Sequence, residues 1–357
     1  MDHPDVHLNA IGTAVPGHDI HHAFIAWARA RVNDERAAKL FDRMAARSGI
    51  AHRWSVLPQG PAGESPVETG GFYAEGMPGT TVRMALYAEA APAIGIAAID
   101  ALREHTSLDG ITHFVVASCT GFVAPGIDQI IAQAIGLPPS TERLLIGFMG
   151  CYAAVAALRT ARHIVRSEPD ARVLVLCVEL STLHLQDDAT LEPLLAMLQF
   201  GDGAAAALVT ADPRGFVLGR PFATTLPESR ELIRWAITDR GFAMHLSGEV
   251  PARIAAGLTD ADFAAAATGG RAPAEIDRWA VHAGGRSILD AVGHALHLAP
   301  QSFAASRSVL HDFGNMSSAT LMFVLARMLA GPPVSNGVAL AFGPGLAAEG
   351  FGFRSAP

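Results

Sequence analysis

Short apolar runs of strand length alternate with stretches whose apolar residues recur at helical spacing, and that alternation restricts the chain to an α/β architecture. Residues 111–118 read as a buried strand. Residues 125–137 follow with Ile127, Ile130, Ile131, Ala134 and Ile135, the spacing of a helix with one apolar face. Residues 151–166 repeat that spacing through Val155, Leu158 and Val165, and 172–179 read as another strand, rich in β-branched side chains. The polar stretch Asp212, Pro213, Arg214, Gly215 ends this half of the chain. Beyond it the pattern recurs, with a strand at 278–281 and helices at 287–298 and 316–329. Residues 338–342 then pair with 346–353 around Gly343, Pro344 and Gly345, the composition of a tight turn. The chain therefore divides into residues 1–212 and 213–357. Both halves mix strand and helix, as a duplicated architecture would, without a repeat visible at residue level.

With 357 residues, half of them apolar, the chain has material for two packed domains. A formal net charge of −8 and the lack of any basic block argue against nucleic acid as a partner. Lys39 is the only Lys, and the even spread of Arg marks a compositional bias rather than a binding patch. No uninterrupted apolar run reaches about 18 residues, so no membrane span is expected. The opening Met1, Asp2, His3 and Pro4 lack the charged and apolar regions of a secretion signal. Cys119, Cys151 and Cys177 match neither a disulfide framework nor a CxxC metal pattern, which fits a reducing cytoplasm. The histidines, His18, His21 and His22 included, supply no ligand set at metal spacing, and no metal is expected.

Three segments place reactive side chains at element boundaries. Cys151 follows Gly147, Phe148, Met149 and Gly150 and precedes a helical pattern. Its thiol is expected at a helix N-terminus, where the dipole and free amides favour thiolate. Taken alone it reads equally well as a buried structural cysteine; Cys177, inside a continuous apolar strand, reads as core. His282 ends the strand Trp279-Ala280-Val281 and leads into Ala283, Gly284 and Gly285, a common setting for catalytic side chains in α/β folds. Asn315, between Gly314 and Met316, stands where a long helix begins and by itself is a good N-cap.

Taken together and in this order, Gly150-Cys151 at a helix start, Val281-His282-Ala283-Gly284-Gly285-Arg286, and Gly314-Asn315-Met316-Ser317-Ser318-Ala319 resemble the type III polyketide synthases, the chalcone-synthase-like family. Ser118-Cys119-Thr120-Gly121 with Pro125-Gly126, Gln199-Phe200-Gly201-Asp202-Gly203, and Phe342-Gly343-Pro344-Gly345-Leu346 extend the resemblance from Ala10 to Phe353. It implies a thiolase-like, duplicated αβαβα five-layer fold, a homodimer, and an active site buried between the two halves. Matched position by position, Cys151 is the acyl-carrying nucleophile, while His282 and Asn315 bind the thioester carbonyl and drive malonyl decarboxylation. The residue types suit that chemistry. Thioester exchange needs a soft nucleophile that an imidazole can hold as thiolate, and the enolate left by loss of carbon dioxide needs two donors. The implied substrates are malonyl-CoA and an acyl-CoA starter, with no cofactor besides these CoA thioesters, and the implied products are small phenols or pyrones.

The resemblance assigns Arg43 and Arg47 to the CoA phosphates, with Leu40 at a third position that is basic in the plant enzymes and Lys39 adjacent to it. Phe200 matches one of two aromatic gate positions between CoA tunnel and cavity, and Met244 stands at the other, a softer gate. Cys119, Ser181, His184, Trp235 and Ser317 match cavity positions, as do Gly343, Pro344 and Gly345; Trp235 replaces a small residue of the plant enzymes. Ala124 replaces the residue that reaches across their dimer. The initiating ketoacyl-carrier-protein synthases use the same trio, but their histidine usually begins His-Gln-Ala-Asn. A hydroxymethylglutaryl-CoA synthase would need a Glu base that has no match here, and an inactive thiolase-like scaffold would not need the intact trio. Starter, number of extensions and mode of ring closure depend on cavity volume and stay open.

Overall fold

The computed structural model describes residues 4–60 and 65–357; Met1, Asp2 and His3, read above for a secretion signal, lie outside the described residues. Nine strands form one hydrogen-bonded sheet. The N-terminal half contributes, in spatial order, Glu142–Gly147, His113–Ser118, Val173–Leu180, Asp202–Thr210 and His7–Ala14. The C-terminal half continues with Phe216–Thr225, Ala347–Ser355, Gly337–Gly343 and Arg278–Val281. The two sets meet where His7 and Leu8 pair with Val217 and Phe216, and the Leu218 amide donates to the Val6 carbonyl beside them.

Side-chain alternation along these strands defines the layers, because successive residues of a strand face opposite sides of the sheet. Val173, Val175 and Cys177 enter one core, while Leu174, Leu176 and Val178 enter another. In the C-terminal half, Ala339 and Ala341 join the first of these cores, and Val338, Leu340 and Phe342 join a third. One face of each half therefore looks at the same middle layer. That layer is two helices, Ala153–Ser167 and Ser318–Leu329, whose Ala157, Leu158, Leu321 and Val324 are fully buried or nearly so. Outside the N-terminal half lie Thr80–Arg103 and Ile127–Ala134. Outside the C-terminal half lie Val250–Leu258, Ala261–Thr268 and Arg286–Ala295. The result is five layers in the order αβαβα.

The strands and helices expected from apolar spacing are present, with shifts at their ends. The helix expected to start at Cys151 opens instead with a 3₁₀ turn, Gly150–Tyr152, before Ala153–Ser167. The hairpin pairs Gly343 with Ala347, so Pro344, Gly345 and Leu346 form its connection. Several elements had no sequence reading: His7–Ala14, His21–Arg31, the helix Thr80–Arg103, the hairpin of Ile233–Thr238 with Gly241–Leu246, and Ala304–Phe313. Thr80–Arg103 is long and apolar enough to cross a membrane by length and composition alone. Its Tyr87, Ala91, Ile94, Ala98 and Leu102 lie in the core against the sheet, which makes it a core helix.

Close approach of that helix to the first strand depends on one glycine. A Cβ on Gly12 would overlap the backbone of Ala98 and Leu102. Backbone cannot rotate away as a side chain can, so Gly12→Val should cost about 3 kcal/mol or more, the upper range for overpacking. Thermal denaturation checks this; a melting temperature equal to the parent's would show that the layers are not held at this spacing.

Candidate active site

Cys151, His282 and Asn315 come from three different elements and line one cavity of about 480 Å³. Each stands at a chain reversal leading into a helix. Gly150, with φ of 74°, turns the chain into the 3₁₀ turn that carries Cys151. Any side chain on Gly150 would strike Pro344, and one on Gly343 would come within 3.3 Å of the Cys151 backbone nitrogen. The Gly343-Pro344-Gly345 connection thus braces the nucleophile's turn from behind. Only Gly343 of the three faces the cavity.

His282 continues the strand Arg278–Val281, its amide bonded to the Leu340 carbonyl. It is 1% exposed, and neither ring nitrogen has a hydrogen-bond partner among the described residues. Burial pushes its pKa down to about 3, so the ring is neutral in the empty cavity. Asn315 is oriented by its own neighbours. Its Oδ1 accepts from the Ser317 amide at 2.8 Å, which fixes Nδ2 as the other end of the amide, donating to the Gly284 carbonyl at 3.3 Å. Ser317 adopts a φ of 47°, a conformation uncommon outside glycine, and this bond is part of what holds it.

The thiol does not show the lowered pKa expected of a helix N-terminus. Burial pushes Cys151 up to about 11, with the Glu179 carboxyl adding to the rise and bonds from Ser317 and Asn315 opposing it. Desolvation by the surrounding protein outweighs the bonds that favour the thiolate. Neither a lone thiolate nor a lone imidazolium is stable, and the two charges are favourable only as a pair. Cys177 is fully buried in its strand, as read from sequence, and its thiol is likewise shifted upward by burial.

The remaining cavity residues divide between two spaces. Phe200, Met244 and Gly343 line the catalytic cavity. Ser181, His184 and Trp235 line a second, apolar cavity of about 80 Å³, and Phe200 and Met244 line that one too. Cys119 and Ser317 sit behind the walls. Cys119 Sγ lies 3.2 Å from Ser317 Oγ and 3.3 Å from the buried Glu179 carboxyl, and its carbonyl accepts from Trp235 Nε1 at 2.9 Å. His184 stacks on Phe242 with ring centroids 4.2 Å apart and also meets Trp235 edge-on. Its Nε2 donates to the Thr120 carbonyl and its Nδ1 accepts from the Phe242 amide, a fixed neutral tautomer.

Arg47 borders a surface groove of about 320 Å³ together with Met44, Gln199, Arg286 and Ser287. Met44, Gln199 and Ser287 also line the catalytic cavity, so the groove is its mouth. Arg43 lies exposed on Glu35–Ala46, one turn earlier, and is not part of that wall. Arg286, whose Nη1 donates to the Arg47 carbonyl at 3.2 Å, was read from sequence only as the end of the histidine motif, with no place at the cavity mouth. Glu179 had no sequence reading; burial raises its carboxyl to about 7 against bonds from Ser318, the Cys119 amide and Thr120. Among the described residues no group of three or more His, Cys, Asp or Glu is placed to hold a metal ion.

A cysteine, a histidine and an asparagine converging on a cavity between the halves of a five-layer αβαβα molecule define the thiolase-like class. The description "Chalcone and stilbene synthases, N-terminal domain" matches residues 3–213, and "Chalcone and stilbene synthases, C-terminal domain" matches residues 219–357. The chain belongs to this family, the type III polyketide synthases. It is 35% identical over 250 residues to "Alpha-pyrone synthesis polyketide synthase-like Pks18" of Mycobacterium tuberculosis and of Mycobacterium bovis, covering 67% of this chain. That match spans 64% of the length of the mycobacterial relative. Among solved structures, PKS-I from the brown alga Ectocarpus siliculosus superposes with a TM-score of 0.87 at 26% identity, covering 99% of both chains. The C-terminal type III polyketide synthase domain of Steely1 from Dictyostelium has the same fold, with a TM-score of 0.87 at 24% identity over 99% of this chain and 100% of the other.

If the thiolate depends on the imidazole, His282→Gln should move the midpoint of Cys151 alkylation by iodoacetamide upward in pH by about two units, roughly 2.7 kcal/mol of lost ion pairing. The measurement is the inactivation rate against pH for both proteins. Coincident profiles would mean that the thiol is activated by something else.

Proposed function

We propose that the chain is a type III polyketide synthase that extends an acyl-CoA starter with malonyl-CoA. The observation that carries this reading is the neutral, unpartnered His282 in one cavity wall with Cys151 and Asn315. His282 takes the thiol proton as Cys151 attacks the starter thioester, and the CoA thiol leaves with a proton. Malonyl-CoA then loses carbon dioxide, and its enolate oxygen is held by His282 and Asn315 Nδ2. The enolate carbon attacks the Cys151 thioester, a carbon–carbon bond forms, and the Cys151 thiolate is expelled. The β-ketoacyl-CoA, two carbons longer, reloads for another round. Arg47, with Arg286 beside it at the mouth and Arg43 further out, meets the CoA phosphates. The family match favours this reading over an initiating ketoacyl-carrier-protein synthase.

The active protein is a homodimer. Support comes from one uncovered edge: Glu142–Gly147 pairs only with His113–Ser118, leaving its other backbone edge free among the described residues. Leu144 and Leu145 on it are 45% and 36% exposed, and nearby Phe122 is 43% exposed. Phe122, rather than Ala124, is the large side chain that its loop offers to a partner subunit. Three free cysteines suit a reducing compartment such as the cytoplasm.

Loading and decarboxylation are separable by mutation. Cys151→Ala should abolish acyl labelling and condensation yet still release labelled carbon dioxide from malonyl-CoA. Asn315→Ala should still take the starter acyl group on Cys151 while decarboxylation falls about 10²–10³-fold, as loss of one oxyanion donor does. Carbon dioxide release measured beside intact protein mass tests both; condensation by Cys151→Ala, or parent-rate decarboxylation by Asn315→Ala, reverses the roles. For the dimer, Leu144→Arg should give a folded monomer by analytical ultracentrifugation. A dimer of parent stability would place the interface elsewhere.

A further inference from the structure

Arg53 is 1% exposed, and its guanidinium bonds carbonyls rather than carboxylates. Nη1 donates to the Met197 carbonyl at 3.0 Å and to the Phe200 carbonyl at 2.8 Å, while Nε donates to His21 Nδ1 at 2.9 Å. Nη2 has no hydrogen-bond partner among the described residues, and the guanidinium carbon stands 4.6 Å from the Phe24 ring centroid. Burying a cation is costly, and none of the steps above uses this one. We infer that Arg53 is a positioning residue for Asn315: by holding the chain from Met197 to Phe200 it fixes where Asn315 stands for decarboxylation. The inference rests on the condensing reading and adds a residue that acts through one of its three groups.

Asn315 hangs on this segment by its backbone. Its amide donates to the Gln199 carbonyl at 2.8 Å, and its carbonyl accepts from the Gly201 amide at 3.0 Å, one bond on each side of Phe200. The Phe200 carbonyl between them goes to Arg53. The stem of Arg53 also packs on the residue before Asn315. A Cβ on Gly314, whose φ is 67°, would lie 2.8 Å from Arg53 Cγ and 2.7 Å from the Gln199 carbonyl oxygen. Arg53 therefore meets both sides of the bridge between Phe200 and Asn315. Gln199 and Phe200 line the catalytic cavity, so a shift of the segment moves its wall and Asn315 together.

The placement also explains how the cation is tolerated. Met197 ends the helix Leu191–Met197, and the negative end of a helix favours a cation that bonds its last carbonyls. Burial pushes the Arg53 pKa down to about 9, with Asp19 and Asp202 opposing the shift, and the group stays charged near pH 7. The Ser317 amide sets the rotation of the Asn315 side chain, whereas Arg53 sets the position of its backbone. Arg presents its donors in a fixed planar fork, so Arg53→Lys keeps the charge and loses the geometry.

The test compares Arg53→Lys with the parent by melting temperature, by the rate of Cys151 alkylation with iodoacetamide, and by labelled carbon dioxide release from malonyl-CoA. Alkylation should stay close to the parent's, while decarboxylation falls about 10- to 100-fold, through kcat rather than the KM for malonyl-CoA, as misplacement of a reacting group does. The double variant Arg53→Lys, Asn315→Ala should decarboxylate no slower than Asn315→Ala alone, because the same donor cannot be lost twice. Losses that multiply, or parent-rate decarboxylation by a folded Arg53→Lys, would overturn the inference. Should Arg53→Lys not fold, His21→Ala, which removes only the acceptor of Nε, should show the same split at smaller size. Equal loss of alkylation and decarboxylation in that variant, or loss of neither, would overturn the inference as well. A parent protein that releases no carbon dioxide from malonyl-CoA would sink the condensing reading and this role with it.

Discussion

The molecule is organised by two dry helices held side by side between the halves of the sheet. Ser318–Leu329 is packed on nearly every side and Ala153–Ser167 through its first two turns: Ala154, Val155, Ala157, Leu321, Val324 and Leu325 are all inaccessible. Each large aliphatic side chain so buried contributes about 1.5–3 kcal/mol relative to exposure, so neither helix can slide without losing several such contributions. Small residues on the first helix allow the close packing. The proposed catalytic groups inherit this rigidity, because Cys151 lies just before one helix and Asn315 just before the other. Only His282 comes from outside the pair, and its strand is bonded to the one that ends at Gly343, against the nucleophile's turn.

Burial also sets the protonation states and, through them, the pH dependence of stability. His21, His184 and His282 are each pushed down to about 3, first of all by burial. Between that value and the ordinary value of 6.5 the unfolded chain binds protons that the folded one refuses, so these groups reduce stability as pH falls through that window. Glu179 and Asp202 act in the opposite sense. Their folded values are raised by burial to about 7 and about 6, so each loses stability as pH climbs from its ordinary range toward those values. Cys151 and His282, whose values are moved by burial in opposite directions, are both neutral at rest near pH 7.

Much of this was legible in the sequence because apolar periodicity and glycine punctuation record burial directly. The strand 173–180 shows it best, since every residue is buried on one side or the other and the run reads as continuous apolar sequence. Gly150, Gly284, Gly314 and Gly343 mark the turns that converge on the cavity, but spacing alone left Cys151, His282 and Asn315 open to structural readings, and only the resemblance of their combined motifs to a known family singled out the trio. The long helix Thr80–Arg103 escaped because it contains Pro92 and because its alanine-rich sequence gives weak amphipathic contrast. Glu179 looked like the end of a strand; its burial follows from Thr120 and Ser318, distant in sequence and adjacent in space. The thiol's direction of shift was misjudged for a related reason. A helix N-terminus is visible in sequence, whereas the burial of the thiol is a property of the whole fold.

The hairpin of Ile233–Thr238 and Gly241–Leu246 shows how such a site can vary in specificity without losing its chemistry. Trp235 and Met244 are directly opposite in its register. Trp235 is fastened to the loop at Cys119, while Met244 reaches the border between the two cavities. None of the three catalytic side chains is on this hairpin, and it is paired to no strand of the main sheet. A substitution at either position changes the volume beside Phe200 while the middle helices keep Cys151 and Asn315 in place. Phe200 lacks that freedom, because its backbone is bridged to Asn315 and its carbonyl is bonded to the buried Arg53. The two residues shared by both cavities therefore have separate support, Phe200 from the sheet and Asn315, Met244 from the hairpin.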